Sequence, residues 1–184
     1  AGAVTGTASD DDATLTTVDL LAGATDVEND TLMVSNLTLI SGNAIGVTAN
    51  YNDGTLSVDP ADYTYLGEDI TEDVTYSYDI TDGHGGTVSQ TATVTITGTN
   101  DLPTISGDVY GHIDEDGTPT TSGTLSAQDI DTDESSFQAE TVQGAYGSLS
   151  IDEYGDWTYA LDNTHTDVQA LAAGEWVTDT ITVR

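Results

Sequence analysis

The chain has 184 residues and a formal net charge of -32, because 33 Asp and Glu side chains face a single basic residue, Arg184. Internal salt bridges cannot offset this self-repulsion, which opposes the compact state, so neutralising charge must come from outside the chain. The same acidity excludes nucleic acid as a partner, since phosphate binding requires Lys and Arg. The absence of Cys excludes disulfides and thiolate metal sites. No apolar run approaches the roughly 20 residues of a membrane span, so we expect no membrane insertion.

Apolar and polar residues alternate with a period of two in short runs along the chain, which indicates half-buried antiparallel strands. In the first clear run Tyr76, Tyr78 and Ile80 share one face. The predicted strands are residues 75–80, 91–96, 147–151, 157–161 and 179–183. Asp-Gly and Gly-Gly pairs between the runs supply hairpin turns. Only residues 166–173 have the pattern of a helical turn or two, so we predict an all-β chain.

An internal repeat divides the chain into two similar units. The acidic string that begins at Asp26 recurs from Asp129, an offset of 129 - 26 = 103 residues. About 100 residues is the size of an immunoglobulin-like sandwich. The break falls near Pro103, which stops a strand ladder, so we predict domains at 1–101 and 102–184. The second unit lacks a counterpart of residues 82–98, so we expect it to lack its final strand and to be less stable, or to borrow a strand from another copy.

Acidic residues two apart in an extended loop point the same way, and hard Ca²⁺ takes six to eight oxygen ligands from such loops. We therefore predict Ca²⁺ at both acidic strings and at the domain boundary, with Asp82 as a shared ligand beside the linker and Glu115 converging on the second string. The predicted ligands are Asp26, Glu28, Asp30, Asp82, Asn100, Asp101, Glu115, Asp129, Asp131 and Asp133. The alternative is a solvated acidic surface of the halophile kind. For Asp10, Asp11 and Asp12 we expect solvation, with an ion from an upstream domain as the alternative.

The aromatic residues raise the question of sugar stacking. Tyr63 with Tyr65, and Trp157 with Tyr159, are spaced by two, which places each pair on the core face of a strand and favours packing. Trp176 is less constrained and is the one aromatic that we leave open for a ligand. No nucleophile elbow surrounds any Ser, and two small sandwiches offer little depth for a glycosidase cleft, so we predict that the chain is not an enzyme.

Two longer stretches resemble known repeat families. Residues 82–103 resemble the end of a cadherin-like repeat running into the next one. The second unit is similar to the VCBS repeat over residues 113–117, 122–125, 129–131, 146–149, 155–163 and 168–171. Two departures matter: the linker 99–101 lacks the third polar residue of the animal cadherin linker, and the acidic motif midway through each animal domain has no convincing match. The animal triple-calcium site is therefore not transferred whole.

The resemblance implies two tandem Ig/cadherin-like antiparallel β-sandwiches from a giant bacterial surface protein of the RTX adhesin type, exported by type I secretion. It implies a non-enzymatic, extracellular, monomeric module, a Ca²⁺-rigidified spacer that supports cell adhesion or biofilm formation. Flanking repeats of the same chain would be its partners, and a surface polysaccharide or a host or neighbouring cell its target. The alternative is a lectin-like module that binds polysaccharide itself, through Trp176.

Overall fold

The computed structural model describes residues 3–184, and the chain divides between Asp101 and Leu102. The first unit ends at Asp101, and the second unit is Leu102–Arg184. Strands account for 42% of the residues and helix for 4%. The all-β prediction is therefore confirmed.

The first unit consists of a four-stranded and a three-stranded sheet. The four-stranded sheet has the order β1-β7-β6-β3, in which β1 is parallel to β7 and the other pairs are antiparallel. The three-stranded sheet has the order β2-β5-β4. The strands are β1 Val4–Ser9, β2 Thr16–Asp19, β3 Met33–Ser41, β4 Val47–Asn50, β5 Thr55–Val58, β6 Thr71–Thr81 and β7 Thr87–Thr97.

The core of the first unit comes from the inward faces of these alternating strands. Ala92, Val94 and Ile96 of β7 are fully buried, as are Val74 and Tyr78 of β6 within 1%. Burying a Val or Ile side chain contributes roughly 1.5–3 kcal/mol to stability, so the inward face of β7 stabilises the first unit by several kcal/mol. The period-two prediction for residues 75–80 and 91–96 is confirmed at both strands.

Tyr63 is buried as predicted, but it does not lie in a strand. It is the last residue of a 3-10 helix, Pro60–Tyr63. This helix forms because Pro60 fixes a helical φ at its first position and the Asp59 side chain accepts a hydrogen bond from the Ala61 N–H. The Tyr63 hydroxyl donates to the backbone oxygens of Asn43 and Ile45 at 2.6 and 2.9 Å. Desolvation by burial raises the pKa of this hydroxyl.

The second unit has one five-stranded sheet with the order β10-β11-β12-β9-β8. All of its pairs are antiparallel. The strands are β8 Thr104–Gly107, β9 Thr120–Gln128, β10 Glu140–Gln143, β11 Gly147–Ile151 and β12 Asp156–Leu161. The predicted strands at 147–151 and 157–161 are thus confirmed, and the short helix α1, Thr166–Gln169, lies within the predicted helical segment.

The predicted strand at residues 179–183 is wrong, because the structure assigns no regular element there. The segment nevertheless runs beside β10: the Gln138 N–H donates to the Arg184 backbone oxygen at 2.7 Å. At its other end the Asp179 carboxylate accepts from the N–H groups of Ala145 and Tyr146, both at 2.9 Å. Among the described residues this segment has a neighbour on one side only, and its contacts lie at its two ends, so it does not form a regular strand ladder.

Candidate functional site

The long strand β7 defines two ends of the first unit. Its 11 residues span roughly 35 Å at about 3.3 Å per residue, from the β6–β7 turn to the linker that begins at Thr99. Asp82 lies in that turn, so the prediction that it sits beside the linker is wrong. It lies instead at the end where Met33 pairs with Thr81, which is the end that carries the first acidic string.

The first acidic string forms a loop held by its own carboxylates. Asp26 Oδ1 accepts from the N–H groups of Glu28 and Asp30, both at 2.9 Å. Asp30 Oδ2 lies 3.2 Å from Nδ1 of His84 in the β6–β7 turn. These carboxylates organise turns at one end of the first unit, and their Ca²⁺ binding remains a prediction.

Asp82 has the same turn-forming role one hairpin away. Its Oδ1 accepts from the N–H groups of His84 and Gly86 at 2.7 and 2.9 Å. The hydrogen bond from the His84 N–H is the main reason that the pKa of Asp82 lies below its usual value. Desolvation opposes this shift, and the hydrogen bond from the Gly86 N–H adds to it. The observed contacts of Asp82 are those of a hairpin turn, and its Ca²⁺ binding remains a prediction.

The second acidic string repeats this geometry in the second unit. The Asp131 N–H donates to Asp129 Oδ1 at 3.0 Å, as the Glu28 N–H donates to Asp26. Asp131 itself is only 2% exposed, which is unusual for a carboxylate. Asp133 completes the string with a left-handed backbone, φ 68°. A buried Asp flanked by Asp129 keeps this loop a candidate for Ca²⁺.

Glu115 does not converge on the second string. It precedes β9, whose nine residues extend over roughly 30 Å, whereas Asp129 follows the end of that strand. Glu115 Oε1 instead accepts from Nε2 of Gln169, whose amide also donates to the Asn163 backbone oxygen. The predicted convergence of Glu115 on Asp129 and Asp131 is therefore wrong, since the two sites occupy opposite ends of the second unit.

Asp10 is the residue that sequence reasoning assigned to solvent and that the structure buries, at 2% exposure. Its Oδ1 accepts from the N–H and the hydroxyl of Thr99, both at 3.0 Å. Its Oδ2 is buried with no hydrogen-bond partner. The sequence contained the signal, because Val4, Gly6, Ala8 and Asp10 follow the inward period of β1. The run of three Asp residues favoured solvation instead, so the burial of Asp10 was not predicted.

The surroundings of Asp10 are built by a close backbone approach. A Cβ at Gly98 would lie 2.3 Å from the backbone oxygens of Leu66 and Gly67, so only Gly fits there. The Asp69 N–H donates to the Gly98 oxygen at 3.1 Å, which brings the exposed Glu68 and Asp69 to the linker end as well. Among residues 3–184, no three His or acidic side chains are gathered closely enough to enclose an ion as they stand.

The orphaned Oδ2 of Asp10 is a candidate ligand for a cation. An unpartnered buried carboxylate oxygen costs free energy that a hydrogen bond or an ion would offset. Carboxylate and backbone oxygens are the ligands that Ca²⁺ takes. Asp10 would supply the buried ligand, and Asn100 and Asp101 follow Thr99 directly at the same end.

Comparison with known families agrees with this architecture. Residues 1–97 match the model described as a cadherin-like domain, and residues 100–184 match that of a bacterial cadherin-like domain. The chain belongs to the cadherin-like family. A search of curated proteins gives no match.

Solved cadherin structures share the fold of this cadherin-like chain at low sequence identity. Protocadherin gamma B2 extracellular cadherin domains 3–6 align with a TM-score of 0.51 at 13% identity, covering 88% of this chain and 37% of that one. PcdhgB3 EC1–4 aligns with a TM-score of 0.52 at 14% identity, covering 88% and 39%. The chain therefore spans well under half the length of these neighbours.

Cadherin domains generally bind Ca²⁺, and cadherin-like domains are typically non-enzymatic, adhesion-type repeat modules. The family matches are consistent with an extracellular or surface protein. In the described part of the chain, no helix has the length and apolar character that a membrane span requires.

Proposed function

We propose that this chain is a Ca²⁺-rigidified spacer module of a large, RTX-type bacterial surface adhesin, exported by type I secretion and supporting cell adhesion or biofilm formation. The observation that carries the calcium part is the buried Asp10 carboxylate, whose Oδ2 lacks a partner at the linker end of the first unit. The VCBS-type resemblance of the second unit supports the adhesin context. The flanking repeats of the same protein are its partners in this proposal, with a cell or a surface polysaccharide beyond them.

A spacer gains stiffness from an ion that orders the residues between its repeats. A ligand that binds only the folded, ordered state stabilises that state by mass action. A cation at Asp10 would hold Thr99 and the Asn100–Asp101 segment that follows it. Ionic strength alone acts differently, because screening weakens all surface repulsions together.

Small-angle scattering tests this proposal on the 184-residue chain. Profiles are measured in EDTA, in millimolar CaCl₂, and in NaCl at matched ionic strength. We expect CaCl₂ to increase the maximum dimension and NaCl to leave it unchanged. Asp10→Asn should remove the calcium response, whereas Asp11→Asn, an exposed neighbour with the same loss of charge, should keep it. Equal elongation in NaCl would instead support the solvated acidic surface of the halophile kind.

A lectin-like module is the second candidate, because Trp176 is 78% exposed and borders a groove in the second unit. Exposed aromatic faces in grooves stack on sugar rings and other apolar surfaces. Glycan-array binding that disappears in Trp176→Ala would favour this function over the spacer. Absence of glycan binding by the intact chain would remove it.

A further inference from the structure

The first unit contains one long stretch without charged residues. Residues 31–52 include no Asp, Glu, Lys or Arg, although the chain has 33 acids among 184 residues. The stretch runs from Asp30 to Asp53 and is the longest interval between two acids in the sequence. It comprises β3, β4 and the loop between them. Charged residues are depleted at the centre of protein interfaces, so a neutral region on so acidic a chain is a candidate contact surface.

The uncharged stretch forms one side of the sandwich. β3 is the edge strand of the four-stranded sheet, and β4 is an edge strand of the three-stranded sheet. At the opposite side the edge strands β1 and β2 adjoin each other. The chain enters the first unit through β1 and leaves it through β7, so β3 and β4 are internal strands of that unit. We call residues 31–52 the uncharged side.

Apolar side chains are exposed along the uncharged side. Leu39 pairs with Tyr76 of β6, and Tyr51 lies near the same tyrosine: burial raises the pKa of Tyr76, and Tyr51 adds to the rise. These three residues therefore gather at the opening between the two sheets. Large apolar side chains exposed together on a protein indicate a contact with another molecule. Those of the uncharged side are between 40 and 58% exposed and are Met33, Leu39, Ile40, Ile45 and Tyr51.

Three acids beside the uncharged side each accept a hydrogen bond from one of its Asn residues. With the donor named first, the pairs are the Asn36 amide with Asp79 at 2.8 Å, the Asn50 amide with Asp53 at 2.6 Å, and the Asn43 backbone N–H with Glu72 at 2.5 Å. A carboxylate that already has a donor loses less free energy when a partner displaces water from it. These bonds therefore lower the cost of bringing a second acidic molecule against this side.

The loop between β3 and β4 is held in one conformation. The hydroxyl of the buried Tyr63 donates to the backbone oxygens of Asn43 and Ile45 at 2.6 and 2.9 Å. Gly42 has a left-handed φ of 89°, and a Cβ there would clash with the backbone oxygen of Asp73. A surface that is ordered before contact loses little conformational entropy when it binds. The uncharged side is therefore rigid as well as apolar.

We propose that the uncharged side is a self-association surface, through which two copies of this chain pair about a two-fold axis. Charge identifies the occupant. Each copy has a formal charge of -32, so two copies repel each other and approach most closely where neither presents carboxylates. A cationic partner would instead be drawn to the acidic turns. A neutral apolar side is complementary to itself, which a two-fold contact requires.

The contact rests on side chains rather than on a long strand ladder. The register of β3 is irregular between Ser35 and Thr38 and again between Leu39 and Ser41. Such irregularities twist an edge strand and disfavour continuous pairing with another chain. We therefore expect a small, reversible contact, in the class that buries less than about 1,200 Å². The monomer implied by the family resemblance is then the form at low concentration, and the inference does not depend on calcium.

Sedimentation equilibrium of the 184-residue chain tests self-association. It is measured in EDTA and in CaCl₂, each at low and high NaCl. We expect a monomer–dimer equilibrium in both buffers, with a dissociation constant that falls as NaCl rises, because salt screens the repulsion between copies. A monomer at every protein concentration in high NaCl would overturn the proposal. A dimer that forms only in CaCl₂, or that NaCl weakens, would also overturn it, since ions would then hold the copies together.

Three variants test which residues carry the contact. Ile40→Asp and Ile45→Asp should each raise the dissociation constant by about tenfold or more, because an unpaired charge would be buried in the interface. Val88→Asp is the matched control: Val88 is 55% exposed and lies in β7, two strands away from β3. Circular dichroism checks that each variant is folded. An equal effect of Val88→Asp, or none of the other two, would refute the assignment.

Hydrogen exchange at low and high protein concentration locates the contact without substitutions. We expect slower exchange at high concentration in residues 33–51, and no change in β7, which already pairs on both of its edges. Slower exchange confined to the second unit would assign the dimer to another surface and would overturn the proposal.

Discussion

Replacing Asp10 by Asn should change stability with opposite sign in the absence and in the presence of calcium. Asn keeps an Oδ1 that accepts from the N–H and hydroxyl of Thr99, and it replaces the orphaned Oδ2 by an uncharged amide. Leaving a charged group unpartnered costs more than leaving a neutral one, for which the penalty is about 1–3 kcal/mol. In EDTA the first unit of Asp10→Asn should therefore be more stable than the parent by about 1 kcal/mol.

In CaCl₂ the same substitution should be strongly destabilising relative to the parent. At a calcium concentration 100 times its dissociation constant, binding adds about 2.7 kcal/mol to the folded state, and Asp10→Asn forgoes that gain. For a domain of about 100 residues each kcal/mol shifts the melting temperature by roughly 4–8 °C. The loss therefore corresponds to roughly 11–22 °C.

Differential scanning calorimetry in EDTA and in CaCl₂ measures this difference. Tryptophan emission identifies the melting of the second unit separately, because both Trp residues lie there. Asp11→Asn is the matched control, since Asp11 is exposed and loses the same charge. The reasoning is refuted if Asp10→Asn lowers the melting temperature equally in both buffers, or if Asp11→Asn behaves in the same way.

Three further predictions concern the contacts that hold each unit together. Asp179→Asn should lower the melting temperature of the second unit, because the carboxylate accepts from Ala145, Tyr146 and the Tyr159 hydroxyl and such charged hydrogen bonds are worth about 1.5–3 kcal/mol each. Burial opposes ionisation of Asp179, but these donors hold its pKa below the usual value. Its contribution is therefore complete above that usual value and is lost as pH falls through the lowered pKa. If tryptophan emission shows that Asp179→Asn lowers the melting temperature by the same amount in acid, this explanation is contradicted. Tyr63→Phe should destabilise the first unit by about 1–3 kcal/mol in urea unfolding, since two backbone oxygens lose their donor, and an unchanged midpoint would show that water replaces it. Gly98→Ala should cost about 1–3 kcal/mol by overpacking against two carbonyl oxygens, and a neutral result would mean that the 66–67 backbone yields freely.

Alternation in the sequence is sufficient to predict strands that have neighbours on both sides. β6, β7, β11 and β12 follow their period-two runs because each pairs with strands on both of its edges. Residues 179–183 have the same pattern and no ladder, because regular pairing depends on partners that a local pattern does not contain. The strand prediction for Tyr63 was wrong for a local reason instead: Pro60 imposes a helical turn on a segment whose alternation suggested a strand.

The acidic turns of the candidate site could be predicted from the sequence, whereas their positions in each unit could not. The acidic strings that start at Asp26 and Asp129 do form matching turns. The end of the unit that each acid occupies depends on strand topology, which separates Asp82 from the linker and Glu115 from Asp129. The burial of Asp10 could have been predicted from the inward period of β1. A run of three acidic residues favours solvation, however, unless one of them is recognised as continuing the strand.

Isothermal titration of the chain with CaCl₂, in a buffer that already contains NaCl at physiological strength, tests the central claim most directly. A specific site gives a saturable heat that persists in salt, whereas attraction to a diffuse acidic surface is screened. We expect saturable binding in the parent and in Asp11→Asn, with at least one site lost in Asp10→Asn. The absence of saturable binding in salt, or identical isotherms for all three proteins, would contradict calcium binding at Asp10.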